Sequence, residues 1–195
     1  MMERTANIKR DTKETRIALT LSLDGTGSAD IDTGIGFFDH MLDGFARHGF
    51  FDLSVKVDGD LFVDGHHTVE DTGIVLGQAI AEAVGDKKGI KRYGYFLLPM
   101  DDALVACAVD LCGRPYFNFD YEFNVPMIGG LDTQLIREFF YAFSYSAGVT
   151  LHMALLYGEN DHHKAEALFK SFARALNAAS RLRTGGVLST KGILC

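Results

Sequence analysis

Residues 40–55, "HMLDGFARHGFFDLSV", lie over residues 138–153, "EFFYAFSYSAGVTLHM", without a gap, so that Phe45 faces Phe143 and Leu53 faces Leu151. In the first stretch and just before it, Phe38, Met41, Leu42 and Phe45 recur at helical spacing until Gly49, a plausible helix stop, and the second stretch runs likewise to Gly148. Both then switch to the period of two that a half-buried strand requires. One supersecondary unit therefore occurs twice in the chain.

The flanks extend the repeat. Ile17, Leu19, Leu21 and Leu23 alternate with Ala18, Thr20 and Ser22 and close on "DGTG", and a short strand follows near residues 28–32. After the first helix, "DLSVKVDG" alternates through Leu53, Val55 and Val57, and a second helix is expected from about His66 to Val84. The other half repeats this order. "ALVACAVDLCG" is apolar enough for a central strand, "PYFNFDYEF" alternates, "TQLIREFFYAFSYSAG" is helical, "VTLHMALLYG" is a strand, and a helix begins at His162. "RYGYFLLPMD" is a further strand near the junction. Two ββαβα-type units, residues 1–91 and 92–195, fused into one compact domain, predict an α+β fold with sheets packed against helices on one face.

The chain has 195 residues and is 47% hydrophobic, ample for a buried core, and its net charge of −7 argues against general nucleic-acid binding, which needs a basic surface. The polar amino terminus and the absence of a long apolar run predict no signal peptide and no membrane span, hence a cytoplasmic protein. Cys107, Cys112 and Cys195 form no CxxC; the first two differ in parity, so on one strand they would face opposite ways, as reduced core cysteines. From Asp161 onward six basic residues (Lys164, Lys170, Arg174, Arg181, Arg183, Lys191) stand against two acidic ones, which suggests a local anion site or else a solvated helix face.

Four of the seven histidines stand as two adjacent pairs, in "GHHTVEDTG" (65–73) and "DHHKAEALF" (161–169), each followed by a glutamate three residues after the second His. On a helix the first His and the Glu are four apart and the second His and the Glu three apart, so either can share a face with the carboxylate. Adjacent histidines point about 100° apart around the axis, so each pair more naturally serves two different sites. One such pair alone would read as a cap or a surface feature; two with matched glutamates read as metal ligands. In the overlaid repeats His40 faces Glu138 and Ser54 faces His152, so each half carries its extra histidine on a different element. His66, His67, Glu70, His162, His163 and Glu166, with His40 and His152, make six His and two Glu, or three His and one Glu for each of two ions. Imidazole and carboxylate without thiolate suit Mn²⁺, Fe²⁺ or Zn²⁺, and spacing does not choose among them. His40 could also cap or pack, His152 could be a satisfied core histidine beside Ala154 and Leu156, and His48 in "ARHG" reads as structural or as lying behind the ligands.

The chain resembles the imidazoleglycerol-phosphate dehydratase family through "KRDTKETRI", "GIGFFDHML", "FARHG", "GHHTVEDTGIVLGQA", "GIKRYG", "DLCGRP", "NDHHKAEALFKSFARAL" and "STKG", with "PMDDAL" where the family has "PLDEAL". The resemblance implies a hydro-lyase of histidine biosynthesis that converts D-erythro-imidazoleglycerol phosphate to imidazole acetol phosphate. It implies two Mn²⁺ per active site holding the substrate ring as imidazolate, which expels the neighbouring hydroxyl to give a diazafulvene-like intermediate. It makes the eight His and Glu residues above the metal ligands and Glu14 the acid/base group, on the polar parity with Arg16 and Ala18. Otherwise Glu14 would be an exposed strand-end charge. Arg92, Arg114, Ser189, Thr190 and Lys191 match phosphate-binding positions, and His48 and Lys170 join them, with Glu14, as substrate contacts. It also implies a 24-subunit homo-oligomer with active sites shared between subunits, and no nucleic-acid or membrane partner. A dinuclear metallohydrolase releasing free phosphate and a non-catalytic metal-binding protein stay as alternatives on the residues alone.

Overall fold

The computed structural model describes residues 4–190. The first unit runs β1 (Thr5–Asp11), β2 (Thr15–Ser22), β3 (Ala29–Asp32), α1 (Gly36–Gly49), β4 (Asp52–Gly59) and α2 (His66–Val84). The second runs β5 (Tyr93–Met100), β6 (Ala103–Asp110), β7 (Tyr116–Asp120), a small hairpin β8 (Met127–Ile128) and β9 (Leu131–Asp132), α3 (Gln134–Ala147), β10 (Thr150–Tyr157) and α4 (Asp161–Ser180). The division between residues 91 and 92 falls in the connection from α2 to β5.

Each unit builds a four-stranded sheet, in the orders β1-β2-β4-β3 and β5-β6-β10-β7, with only β3 and β7 paired parallel to their neighbour. The expected α+β duplication is therefore present, with one strand more in the first half than the periodicity suggests. That strand, β1, turns Ala6, Ile8 and Arg10 inward, and the charged Arg10 breaks the apolar alternation that would have revealed it.

The helices lie between the sheets. Helix α2 packs on β1 and β2, α4 on β5 and β6, and across the middle α2 meets α3 and α1 meets α4. One buried cluster runs through both halves, with Phe38, Phe139, Phe140, Phe143, Phe169 and Phe172 inside it. Each fully buried ring of this kind contributes about 1.5–3 kcal/mol. Helix α2 approaches α3 closely because a Cβ at Gly73 would sit 2.6 Å from the Phe139 carbonyl oxygen and one at Gly77 would sit 2.7 Å from that of Phe143. The helix-propensity cost of these glycines, about 1 kcal/mol each, is offset by that contact.

The outer faces of the two sheets differ. The first is polar, with Arg16 paired to Asp58 and Lys56 to Asp30. The second exposes Tyr93, Tyr95 and Leu97, and Tyr95 is 81% exposed. Cys107 faces the core from β6, whereas Cys112 lies beyond the end of that strand, so strand parity does not govern it; both are buried and free. Among the described residues no helix is long and apolar enough to cross a membrane.

Candidate metal centre

The start of α4 is set by Asn160, whose side chain accepts from the backbone N–H groups of His162 (2.9 Å) and His163 (3.3 Å). The two rings leave the helix at an interplanar angle of 82°. His162 Nε2 lies 3.7 Å from Glu166 Oε2, as the i,i+4 spacing requires. His40 arrives from α1, in the other half of the chain, with Nε2 4.0 Å from Glu166 Oε1. His40, His162 and Glu166 offer one ligand atom each within 4.8 Å of one another, the one such trio of His, Cys or carboxylate residues among the described residues. Bonds of about 2.1 Å to a single ion put donors roughly 3–4.2 Å apart, so this group fits an ion after a small inward shift.

The first pair is half of a comparable site. Asp64 receives the His66 backbone N–H at 2.7 Å, and His66 Nε2 lies 3.5 Å from Glu70 Oε2. The place that His40 takes beside α4 belongs in the overlaid repeat to Glu138, which bonds to Arg137 instead (3.2 Å).

The second histidine of each pair turns away toward carboxylates. His67 Nδ1 lies 3.0 Å from Asp60, and its Nε2 is 3.7 Å from Glu14 Oε1. His163 Nδ1 lies 2.5 Å from Asp102, with Nε2 3.4 Å from Asp101. In both cases the carboxylate at Nδ1 is the main cause that raises the histidine pKa above its ordinary value. Asp102 is held well below the ordinary carboxylate range by His163 and by the backbone N–H groups of Asn160 and Glu159. A carboxylate on Nδ1 also fixes the tautomer that leaves the Nε2 lone pair available to a metal.

Around Glu166, burial pushes the carboxyl up, but the Lys170 ammonium at 2.6 Å outweighs it and the net shift is down. Burial, and next the charge of Lys170, hold His48 below the ordinary histidine value. His48, weakly marked in the sequence, thus shares the electrostatic surroundings of Glu166 and Lys170.

Other candidate residues are dispersed. His152 is exposed on the outer face of the second sheet, in one row with Tyr95, Ala108 and Asn118 and 5.4 Å from the Tyr116 ring, so the core reading of it fails. Arg92 adopts φ 74°, grips Asp110 with two bonds (2.7 and 3.0 Å) and donates to the Leu188 carbonyl at 2.7 Å. Arg114 is exposed. Ser189 donates its backbone N–H to Val187, Thr190 closes the described chain, and Lys191 lies outside the described residues. The basic end is largely engaged within the protein: Lys164 is buried against Asp161 at 2.7 Å, Arg174 stacks on Phe50 and Phe96, and Arg183 donates to carbonyls.

The sequence pattern alone does not mark Asp60, Asp101 and Asp102 as functional; the strand register brings Asp102 into line with Glu14. Leu53 and Leu151 are equivalent, and their strand partners are Leu21 and Val109, so counting back seven residues from each makes Glu14 equivalent to Asp102. Each β-hairpin tip therefore offers a carboxylate to the second histidine of its own half.

Comparison with known proteins identifies the family. The model of the family described as imidazoleglycerol-phosphate dehydratase matches residues 33–176. The protein of that name from Lachnoclostridium phytofermentans is 62% identical over 193 residues, covering 98% of each chain, and that from Acetivibrio thermocellus is 55% identical, covering 99% of this chain and 100% of its own. The crystal structure of the Staphylococcus aureus enzyme matches with a TM-score of 0.83 at 38% identity over 92% of this chain and 99% of its own. That of the Pyrococcus furiosus enzyme gives 0.84 at 36% identity over 96% and 100%. The chain belongs to the imidazoleglycerol-phosphate dehydratase family and is a hydro-lyase.

Proposed function

We propose that this chain removes water from D-erythro-imidazoleglycerol phosphate to give imidazole acetol phosphate, in the cytoplasm, using two Mn²⁺ ions at sites completed between copies of the chain. The observation that carries the reading is the convergence of His40, His162 and Glu166 from helices of opposite halves on one ion-sized volume. The donor set of imidazole and carboxylate without thiolate suits Mn²⁺. His66, His67, Glu70, His152 and His163 are the remaining ligands. Ions bound there would stabilise the substrate ring as imidazolate and so favour departure of the hydroxyl on the adjacent carbon.

The chain's own groups do the proton work. Glu14 Oε1 faces His67 across 3.7 Å and is the base for the carbon-bound proton. Hydroxide leaves the ring-side carbon, the next carbon gives up its proton to Glu14, and Glu14 returns a proton to the ring-side carbon while the enol hydroxyl loses its own to the hydroxide, giving ketone and water. Asp60 and Asp102 hold His67 and His163 in the ligand tautomer. Arg114, Lys170, Ser189, Thr190 and Lys191, with Arg92 bracing the tail through Leu188, receive the phosphate. Lys170 then exchanges Glu166 for a dianion.

Sharing between subunits is supported by two features: the half site at His66 and Glu70, and the apolar outer sheet face that bears His152. A closed homo-oligomer such as a 24-mer would cover that face. The test is incubation of Mn-loaded protein with imidazoleglycerol phosphate. Ketone formation without phosphate release is expected; free phosphate without ketone would instead support the hydrolase reading.

A further inference from the structure

We infer that Asp71 is a positioning residue for Glu14, acting through Thr15. This rests on the acid/base reading of Glu14. Asp71 follows Glu70 on α2 and is 5% exposed. Its Oδ2 accepts from the Thr15 hydroxyl at 2.5 Å, and its Oδ1 forms an ion pair with Arg10 at 2.9 Å. Thr15 is the next residue after Glu14 and is itself 1% exposed. His67 and Asp71 are one turn apart on the same helix, so α2 carries both the ring that Glu14 faces and the carboxylate that clamps its neighbour.

The backbone at Glu14 is held from the other sides as well. The Thr12 hydroxyl accepts from the N–H groups of Glu14 (3.1 Å) and Thr15 (3.0 Å), and the Glu14 carbonyl accepts from Asp60 N–H at 3.1 Å. Asp60 in turn binds His67, so the loop from Glu14 to His67 closes on itself. Without Asp71, α2 still packs on β1 and β2, but the polar link from α2 to Thr15 and Arg10 is lost.

The duplicated fold supplies its own control. The sheet register that equates Glu14 with Asp102 equates Arg10 with Leu98 and Thr15 with Ala103, and the helix alignment that equates Glu70 with Glu166 equates Asp71 with Ala167. All three counterparts are buried and apolar. The same unit thus folds with apolar residues at these places, and the charged clamp occurs only in the half that carries Glu14. A buried carboxylate held by an arginine and a hydroxyl is no better for stability than well-packed apolar groups, so its use here is in placing the chain rather than in strengthening it.

The test compares Asp71→Asn, Thr15→Val and Thr15→Ser in the Mn-loaded protein. Misplacement of a reacting group by about 1 Å costs roughly 10²-fold, so kcat is expected to fall about 10- to 100-fold in Asp71→Asn and Thr15→Val. KM and bound Mn are expected to stay within about threefold of the parent, and Thr15→Ser, which keeps the hydroxyl, to restore kcat. Adding Asp71→Asn to Glu14→Gln is expected to cost little more than Glu14→Gln alone, because both act through one group. Should Asp71→Asn fail to fold, the triple variant Arg10→Leu, Thr15→Ala, Asp71→Ala transplants the apolar set of the second half and is expected to show the same loss of kcat. A dead Glu14→Gln beside an Asp71→Asn with parental kcat, or additive losses, overturns the clamp alone; an active Glu14→Gln overturns both it and the reading of Glu14.

Discussion

Replacing Asp102 by Asn is expected to weaken metal binding without unfolding the protein. One carboxylate oxygen of Asp102 accepts from the backbone N–H groups of Glu159 (2.6 Å) and Asn160 (2.9 Å), and the other meets His163 Nδ1 at 2.5 Å. An asparagine that keeps the two backbone bonds must direct its carbonyl at them and its NH₂ at the imidazole. His163 Nδ1 then becomes an acceptor, the ring proton moves to Nε2, and the atom meant for metal is blocked. Loss of such an orienting partner typically costs 10–100-fold in metal affinity, or about 1.4–2.7 kcal/mol. Equilibrium dialysis against Mn²⁺ at neutral pH, with thermal unfolding of the metal-free protein as a control, reads both effects. An affinity within about twofold of the parent would refute the tautomer argument, and Asp102 would then be only a brace for the turn before α4.

Three further outcomes are expected. Glu14→Gln spares Mn content and substrate binding and lowers kcat by roughly 10²–10⁴-fold; a loss within about threefold would reduce Glu14 to an exposed charge. Chelation abolishes turnover and loosens the assembly, seen as a smaller particle by size-exclusion chromatography; complete metal removal with unchanged size refutes the link between metal and subunit contacts. His67 and His163 have raised pKa values, chiefly through Asp60 and Asp102, so in the metal-free protein these pairs stabilise the fold below about pH 6.5 and cease to do so as pH rises through the raised values. Metal uptake has the opposite sign, since it needs the neutral ring: Mn²⁺ binding is lost as pH falls through those raised values, and a midpoint below that of ordinary histidine would contradict it.

Much of the architecture was legible because it rests on local periodicity and is written twice. The overlay of residues 40–55 on 138–153 yields the helix–strand pair of each half, and the HHxxE spacing alone dictates that His66 meets Glu70 and His162 meets Glu166. That adjacent histidines point about 100° apart, so that the two members of each pair meet different partners, follows from the helix as well. Such features need only residues within a turn or two of one another.

Tertiary packing decided the rest. His40 pairs with α4 of the other half rather than with α2 of its own, because α1 packs against α4 across the middle of the molecule. Strand β1 escaped notice because Arg10 stands at an inward position, and its reason for being there, Asp71, is distant in sequence. Asp60, in the connection from β4 to α2, and Asp102, at the tip between β5 and β6, look like ordinary loop carboxylates until the fold sets them beside His67 and His163. His152 alternates like a core residue, yet its strand turns that face outward, and only the direction in which a sheet meets its helices distinguishes the two. Hydrophobic period tells which residues share a face; which partner that face receives depends on contacts between elements that the local pattern does not encode.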